Sequence, residues 1–131
     1  MTGSTNRINP TLSGPDFVSF QVRDLETSAT FYEDALGLNR LPATNPAAVV
    51  FSSGGTAFAV REPFPGVDLN AIGQLGAGIG VWFGSKDPSG LHARLVARDV
   101  PIVQEPFEGP FGLQFSLRDP DGYVVTIHTA G

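Results

Sequence analysis

The chain has 131 residues, no cysteine, and eight basic against thirteen acidic residues, for a net charge of −5. That length suits one domain with its own hydrophobic core; the missing thiols exclude a disulfide framework, a thiolate metal site and a cysteine nucleophile, and an acidic balance without a basic stripe argues against a nucleic-acid partner. No apolar run approaches the roughly 20 residues of a membrane helix, and the opening MTGSTNRINPTLSG lacks the apolar stretch of a secretory signal, so a cytoplasmic protein with no membrane partner is expected.

Residues 1–14 are polar and aperiodic and read as a flexible N-terminal arm. In FVSFQV, Val18, Phe20 and Val22 alternate with Phe17, Ser19 and Gln21, the period of a strand. Asp24 then offers a helix N-cap, Leu25, Ala29, Tyr32 and Leu36 recur at helical spacing, and Gly37 supplies a left-handed stop, which predicts a helix over 26–36.

Two strands, Ala48 to Phe51 and Thr56 to Arg61, flank the turn Ser53-Gly54-Gly55, and a weaker strand near Arg40 to Pro42 precedes them. Arg61 to Ala77, rich in glycine and proline, reads as a connector. A shift of 63 residues then lays FVSFQVRD, Phe17 to Asp24, over GVWFGSKD, Gly80 to Asp87. The second copy repeats the grammar: Asp87 caps a helix with Pro88 at its first position, Leu91 and Leu95 form its buried stripe, and Asp99 ends it. A weak strand near Pro101 to Gln104 follows, and then Leu113 to Leu117 and Tyr123 to Ile127 flank Asp119-Pro120-Asp121-Gly122, whose proline and glycine suit a tight hairpin turn. The fold class read from this order is α+β: two βαβββ modules, about 15–62 and 77–131, in a single domain over 15–131 folded around a cup.

FVSFQVRDLETSATFYEDALGL and GPFGLQFSLRDPDGYVVTIH, set in such a repeat, resemble the vicinal oxygen chelate superfamily, which holds glyoxalase I, extradiol dioxygenases, fosfomycin-resistance enzymes and bleomycin-resistance proteins. The resemblance implies a cup-shaped mixed sheet, a homodimer, and metal ligands at the first and last strand of each module. Carried over by motif, those seats are Phe17, Ala59, Gly80 and Thr126. None is an imidazole, carboxylate or amide donor, so no metal and no cofactor is expected.

Strand parity puts Phe17, Ser19 and Gln21 on one face, with Trp82, Gln114, Ser116, Thr126 and His128 on the matching face of the second module. Aromatic rings with a few amides and hydroxyls are the make-up of an organic ligand pocket; the competing reading is that they fill the cup as core. Gly80 leaves room for close approach, and Phe107 and Phe111, in the loop Glu105 to Gly112, offer a lid or a packed loop. The candidate ligand-binding set is therefore Phe17, Ser19, Gln21, Ala59, Gly80, Trp82, Phe107, Phe111, Gln114, Ser116, Thr126 and His128. No catalytic residue is assigned: His92 reads as a solvated helix residue, and Asp119, Asp121, Glu26, Glu33 and Asp34 as solvated charge. The function expected is metal-free binding of an aromatic or natural-product small molecule. The alternatives are a lyase, isomerase or dioxygenase with a non-standard metal site, or a ligand-free subunit whose sheet serves assembly.

Overall fold

The computed structural model describes residues 11–52 and 55–130. Residues 1–10 of the expected arm, Ser53 and Gly54 of the first hairpin turn, and Gly131 lie outside the described residues. Residues 11–14 are exposed and without regular structure.

The elements run β1 (Phe17–Gln21), α1 (Leu25–Thr30), β2 (Asn39–Arg40), β3 (Ala48–Ser52), β4 (Ala57–Arg61), β5 (Trp82–Ser85), α2 (Pro88–Ala97), β6 (Ile102–Gly109), β7 (Gly112–Arg118) and β8 (Val124–Thr129). They form two four-stranded sheets of identical plan, β1-β4-β3-β2 and β5-β8-β7-β6. In each, the first strand pairs parallel with the last and the other pairings are antiparallel. Ser19 stands opposite Ala59, and Trp82, its counterpart in the sequence repeat, stands opposite Thr126. The repeat is thus structural as well as sequential, and the two βαβββ modules are present.

Both predicted caps form. Asp24 accepts from the Thr27 N–H at 2.8 Å and Asp87 from the Gly90 N–H at 3.0 Å. Gly37 takes the left-handed conformation after the first helix, and Asp99 does so after α2. The first helix differs from its prediction at the C-terminal half, where Phe31–Ala35 widens into a π-helical turn closed by Leu36 N–H to Phe31 C=O at 3.2 Å. The extra residue in the turn lets adjacent Phe31 and Tyr32 both reach the core, packed edge to face at 5.3 Å.

A larger correction concerns Glu105 to Gly112. This segment is neither lid nor packed loop: β6 runs through Gly109, and Gly109 pairs with Gly112 around a two-residue tip. Pro106 hid the strand from a pattern reading, because a residue without an N–H belongs on an edge or at a bulge. It sits on both, on the outer strand at a register shift between Gln104 and Phe107.

The even-numbered face of β1 supplies the core, where Phe20 and Val22 meet Phe58, Val60, Phe51 and the fully buried Tyr32. Aromatic contacts carry this core across to the second module. Phe20 stacks on Tyr123 at 4.1 Å, and Phe58 meets Phe83 edge to face at 5.3 Å.

Between the modules lies the Asp-Pro-Asp-Gly turn, and here the expectation of solvated charge fails for two of the five acids. Asp119 is 5% exposed; one carboxylate oxygen accepts from Tyr32 Oη–H at 2.7 Å, the other from the Asp121 and Tyr123 N–H groups at 2.9 and 3.0 Å. Asp121 accepts from the Arg23 N–H at 2.9 Å and its guanidinium at 3.1 Å. Glu26 and Glu33 remain at the surface, pairing with Arg40 at 3.0 and 3.2 Å. His92 also departs from its reading. It is partly buried, its ring 5.2 Å from that of Phe115 and its Nε2 3.2 Å from a Glu105 oxygen.

Burial raises the Asp119 pKa above the usual aspartate range against the pull of its hydrogen bonds, and burial pushes Tyr32 well above its usual value. Replacing Asp119 by Ala is expected to cost about 3 kcal/mol in chemical denaturation, because it strands the buried Tyr32 hydroxyl, the buried Tyr123 N–H and the part-buried Asp121 N–H. Asn should be tolerated within about 1 kcal/mol, since its amide offers an acceptor to the N–H pair and a donor to the Tyr32 oxygen.

The pH dependence has a definite sign. Between the unfolded aspartate pKa and the raised native one, the native state holds a proton that the unfolded state has lost, so this group's contribution is complete below that window and declines as pH rises through it. Stability curves at stepped pH should show that decline in the wild type and not in Asp119→Asn.

Candidate ligand-binding site

Strands β1 and β5 each lie at the open end of their sheet. Backbone parity fixes which of their groups are used. Asp16 C=O accepts from the Ala57 N–H, and the Val22 N–H donates to Arg61 C=O, so the even residues of β1 face β4. Phe17, Ser19 and Gln21 turn their main chain the other way. The Gln21 carbonyl accepts from Tyr123 Oη–H at 2.7 Å, which shows that direction to be toward the second module. In β5 the Val81 and Ser85 carbonyls serve β8, and Trp82 and Gly84 turn outward.

Beside these two edges lies an open groove of about 780 Å³ whose walls include Phe17, Val18, Phe58, Gly80, Trp82 and Phe83. Among the described residues no lining residue carries an ionisable side chain, and Thr56 alone brings a side-chain hydroxyl. A volume of that size suits a drug-sized molecule.

Next to the groove, one face of the second sheet collects most of the remaining candidates in two cross-strand rows. Trp82, Thr126, Ser116 and Gln104 form the first, and Gly84, His128, Gln114 and Phe107 the second. Ser116 and Thr126 hydroxyls bond to each other at 2.8 Å. The Trp82 ring lies 5.7 Å from Phe111 and 5.8 Å from His128, which are 6.1 Å from each other, all inclined edge to face. His128 Nδ1 stands 3.0 Å from the Thr129 carbonyl, which can only accept, so Nδ1 is the donor there and Nε2 is the nitrogen left to another partner. Trp82, Phe107 and Phe111 are 45%, 41% and 61% exposed.

Not every expected residue is available to a ligand. Ala59 shares a row with exposed Ser19 and yet is 1% exposed. Gln21 accepts from the Phe64 N–H at 2.8 Å and, with the Arg61 guanidinium 3.7 Å above the Phe64 ring, pins the connector to the first sheet. Gln114 is 8% exposed under the β6–β7 hairpin, where a Cβ at Gly109 would collide with its amide oxygen. Parity missed Val18, Phe58, Val81 and Phe83, which line the groove from the core-facing side. The signal that finds them is topological: both opening strands are edges, so a gap between them exposes both parities.

At the four seats where the superfamily resemblance puts metal ligands stand Phe17, Ala59, Gly80 and Thr126. Among the described residues no three His, Asp or Glu side chains gather at a point. A divalent cation needs imidazole or carboxylate donors, and a single hydroxyl does not fit one.

No curated protein matches the chain. Among solved structures, an antibiotic-binding protein from Streptomyces sp. CB03234 superposes with a TM-score of 0.73 at 23% identity, covering 94% of this chain and all (100%) of the other. A glyoxalase/bleomycin resistance protein from the same organism gives 0.70 at 24% identity, over 88% and 100%. Lactoylglutathione lyase from Agrobacterium tumefaciens gives 0.65 at 21% identity, over 92% and 96%. At such identities the likeness establishes the fold. The family model for the glyoxalase/bleomycin resistance protein/dioxygenase superfamily matches residues 14–127, nearly the whole described chain and both modules, and the protein belongs to that superfamily.

Proposed function

We propose that this protein binds a small organic molecule with a flat aromatic body, without a metal, in the groove between β1 and β5. The observation that carries the reading is Trp82, which lines an uncharged groove on one side and meets Phe111 and His128 on the other. Its indole offers a stacking surface, the Ser116–Thr126 hydroxyls and His128 Nε2 offer orienting polar groups beside it, and the groove walls supply apolar burial. Support also comes from the four metal seats, whose residues contribute bulk, space or one hydroxyl in place of strong donors. Likeness to an antibiotic-binding protein is consistent with this role, and the aromatic surface left open on the second sheet suits closure by a second copy in a two-fold dimer.

The decisive measurement uses the sole tryptophan. Titration with aromatic polyketides and glycopeptide-like compounds is expected to quench its emission and raise the melting temperature by mass action. Trp82→Ala should stay folded and lose about 2 kcal/mol of affinity, about thirtyfold in Kd. Equal affinity in the variant would sink the assignment.

Two further outcomes follow from the same reading. Chelator treatment should change neither melting temperature nor ligand affinity, and elemental analysis after growth with added Zn, Ni, Fe and Mn should find well under one equivalent. Light scattering at tens of micromolar should give twice the chain's mass.

A further inference from the structure

Gly80 lies just before β5, two residues upstream of Trp82 and on the same parity. Residues two apart on a strand are about 7 Å from each other, within reach of an indole leaning back along the chain. A Cβ added at position 80 would stand 3.2 Å from Trp82 Nε1 and 3.7 Å from its Cδ1. The first distance is tighter than most real Cβ contacts, so the indole edge lies against the space that the missing side chain leaves and would have to give by a few tenths of an ångström to admit one. On its other side the indole meets Phe111 and His128 edge to face. Gly80 is not among the residues with left-handed backbone, so conformation does not require glycine there. Space does.

We infer that Gly80 is the specificity-determining residue of the groove: by lacking a side chain it seats the Trp82 indole, and the indole so placed presents a surface for a flat, uncharged aromatic ligand. The inference rests on the binding function proposed above and adds the residue that tunes it. The room at Gly80 is filled by the protein's own tryptophan, which makes the shape of the groove a function of residue 80. Among the described residues the lining offers a ligand charge no ionisable side chain to pair with, which favours an uncharged guest.

Near-ultraviolet circular dichroism and emission report on this ring alone among indoles, since the chain has one tryptophan. In unliganded protein, Gly80→Val is expected to change both spectra while the far-ultraviolet spectrum stays the same and the melting temperature moves by less than about 4 °C. The binding probe is N-phenyl-1-naphthylamine, a neutral aromatic fluorophore. Gly80→Val should raise its Kd about tenfold in the Trp82 protein and less than about twofold in Trp82→Phe, whose smaller ring does not need the space; the cycle isolates the coupling. Unchanged tryptophan spectra, or the same loss in both backgrounds, would overturn the role of Gly80. Failure of the probe to bind the wild type would overturn the binding function and the ligand class, while the spectra decide the seating of the ring separately.

Discussion

The buried hydrogen bond from Tyr32 to the Asp119 carboxylate ties the two modules together beside the aromatic contacts of the core. The carboxylate sits in the β7–β8 turn, takes that hydrogen bond from Tyr32 on the first helical segment, and takes two more from its own turn. Desolvation opposes its ionised form, and the three donors are what make its burial tolerable. Around it the same turn gives Arg23 a double contact through Asp121 and sends Tyr123 to stack on Phe20 and bond the Gln21 carbonyl. The connector joins in, with Gln74 Nε2 donating to Gly122 C=O at 2.7 Å and the Arg23 guanidinium donating to Asn70 at 2.6 Å. The turn and the tyrosine that follows it thereby reach β1, the first helical segment and the connector.

That mode of joining shapes the site. Side chains carry the contact between modules, and among the described residues Gln21, at the strand's end, is the one edge residue of β1 whose carbonyl is drawn into it. The opening strands of the two sheets therefore remain edges, and the gap beside them is a groove whose walls mix core-facing and outward-facing residues. Had β1 and β5 paired as neighbours in one sheet, a ladder of hydrogen bonds would occupy that space. The groove and the tie are two results of one arrangement.

Much of this was legible in the sequence, for reasons tied to particular residues. Asp24, Gly37, Asp87 and Pro88 announce helix ends by local chemistry that needs no tertiary context. The alternation of Val18, Phe20 and Val22 fixes which face of β1 is core, and the 63-residue repeat carries that reading to β5. Contacts between segments distant in the chain were not legible. Asp119 reads as turn chemistry until Tyr32, 87 positions away, is seen bonding to it. Pro106 argues against the strand that contains it, since the bulge that accommodates it depends on pairing with β7. Gln21 and Ala59 have the right parity and the wrong surroundings: the connector takes one, and burial removes the other.

Parity assigns a direction to a side chain but not the space at its end, and the difference decides what kind of site this is. In a coordination site, donors at four seats fix a ligand through a few directional bonds to an ion. Here the corresponding seats hold a ring, a methyl, no side chain and one hydroxyl, and the interactions left to a guest are stacking, apolar burial and single hydrogen bonds. Such terms scale with the area covered and depend on fit. With no ionisable side chain in the groove wall among the described residues, direct titration of the lining gives a neutral guest no pH dependence. Any that appears has to come from groups around the groove or through the stability of the fold.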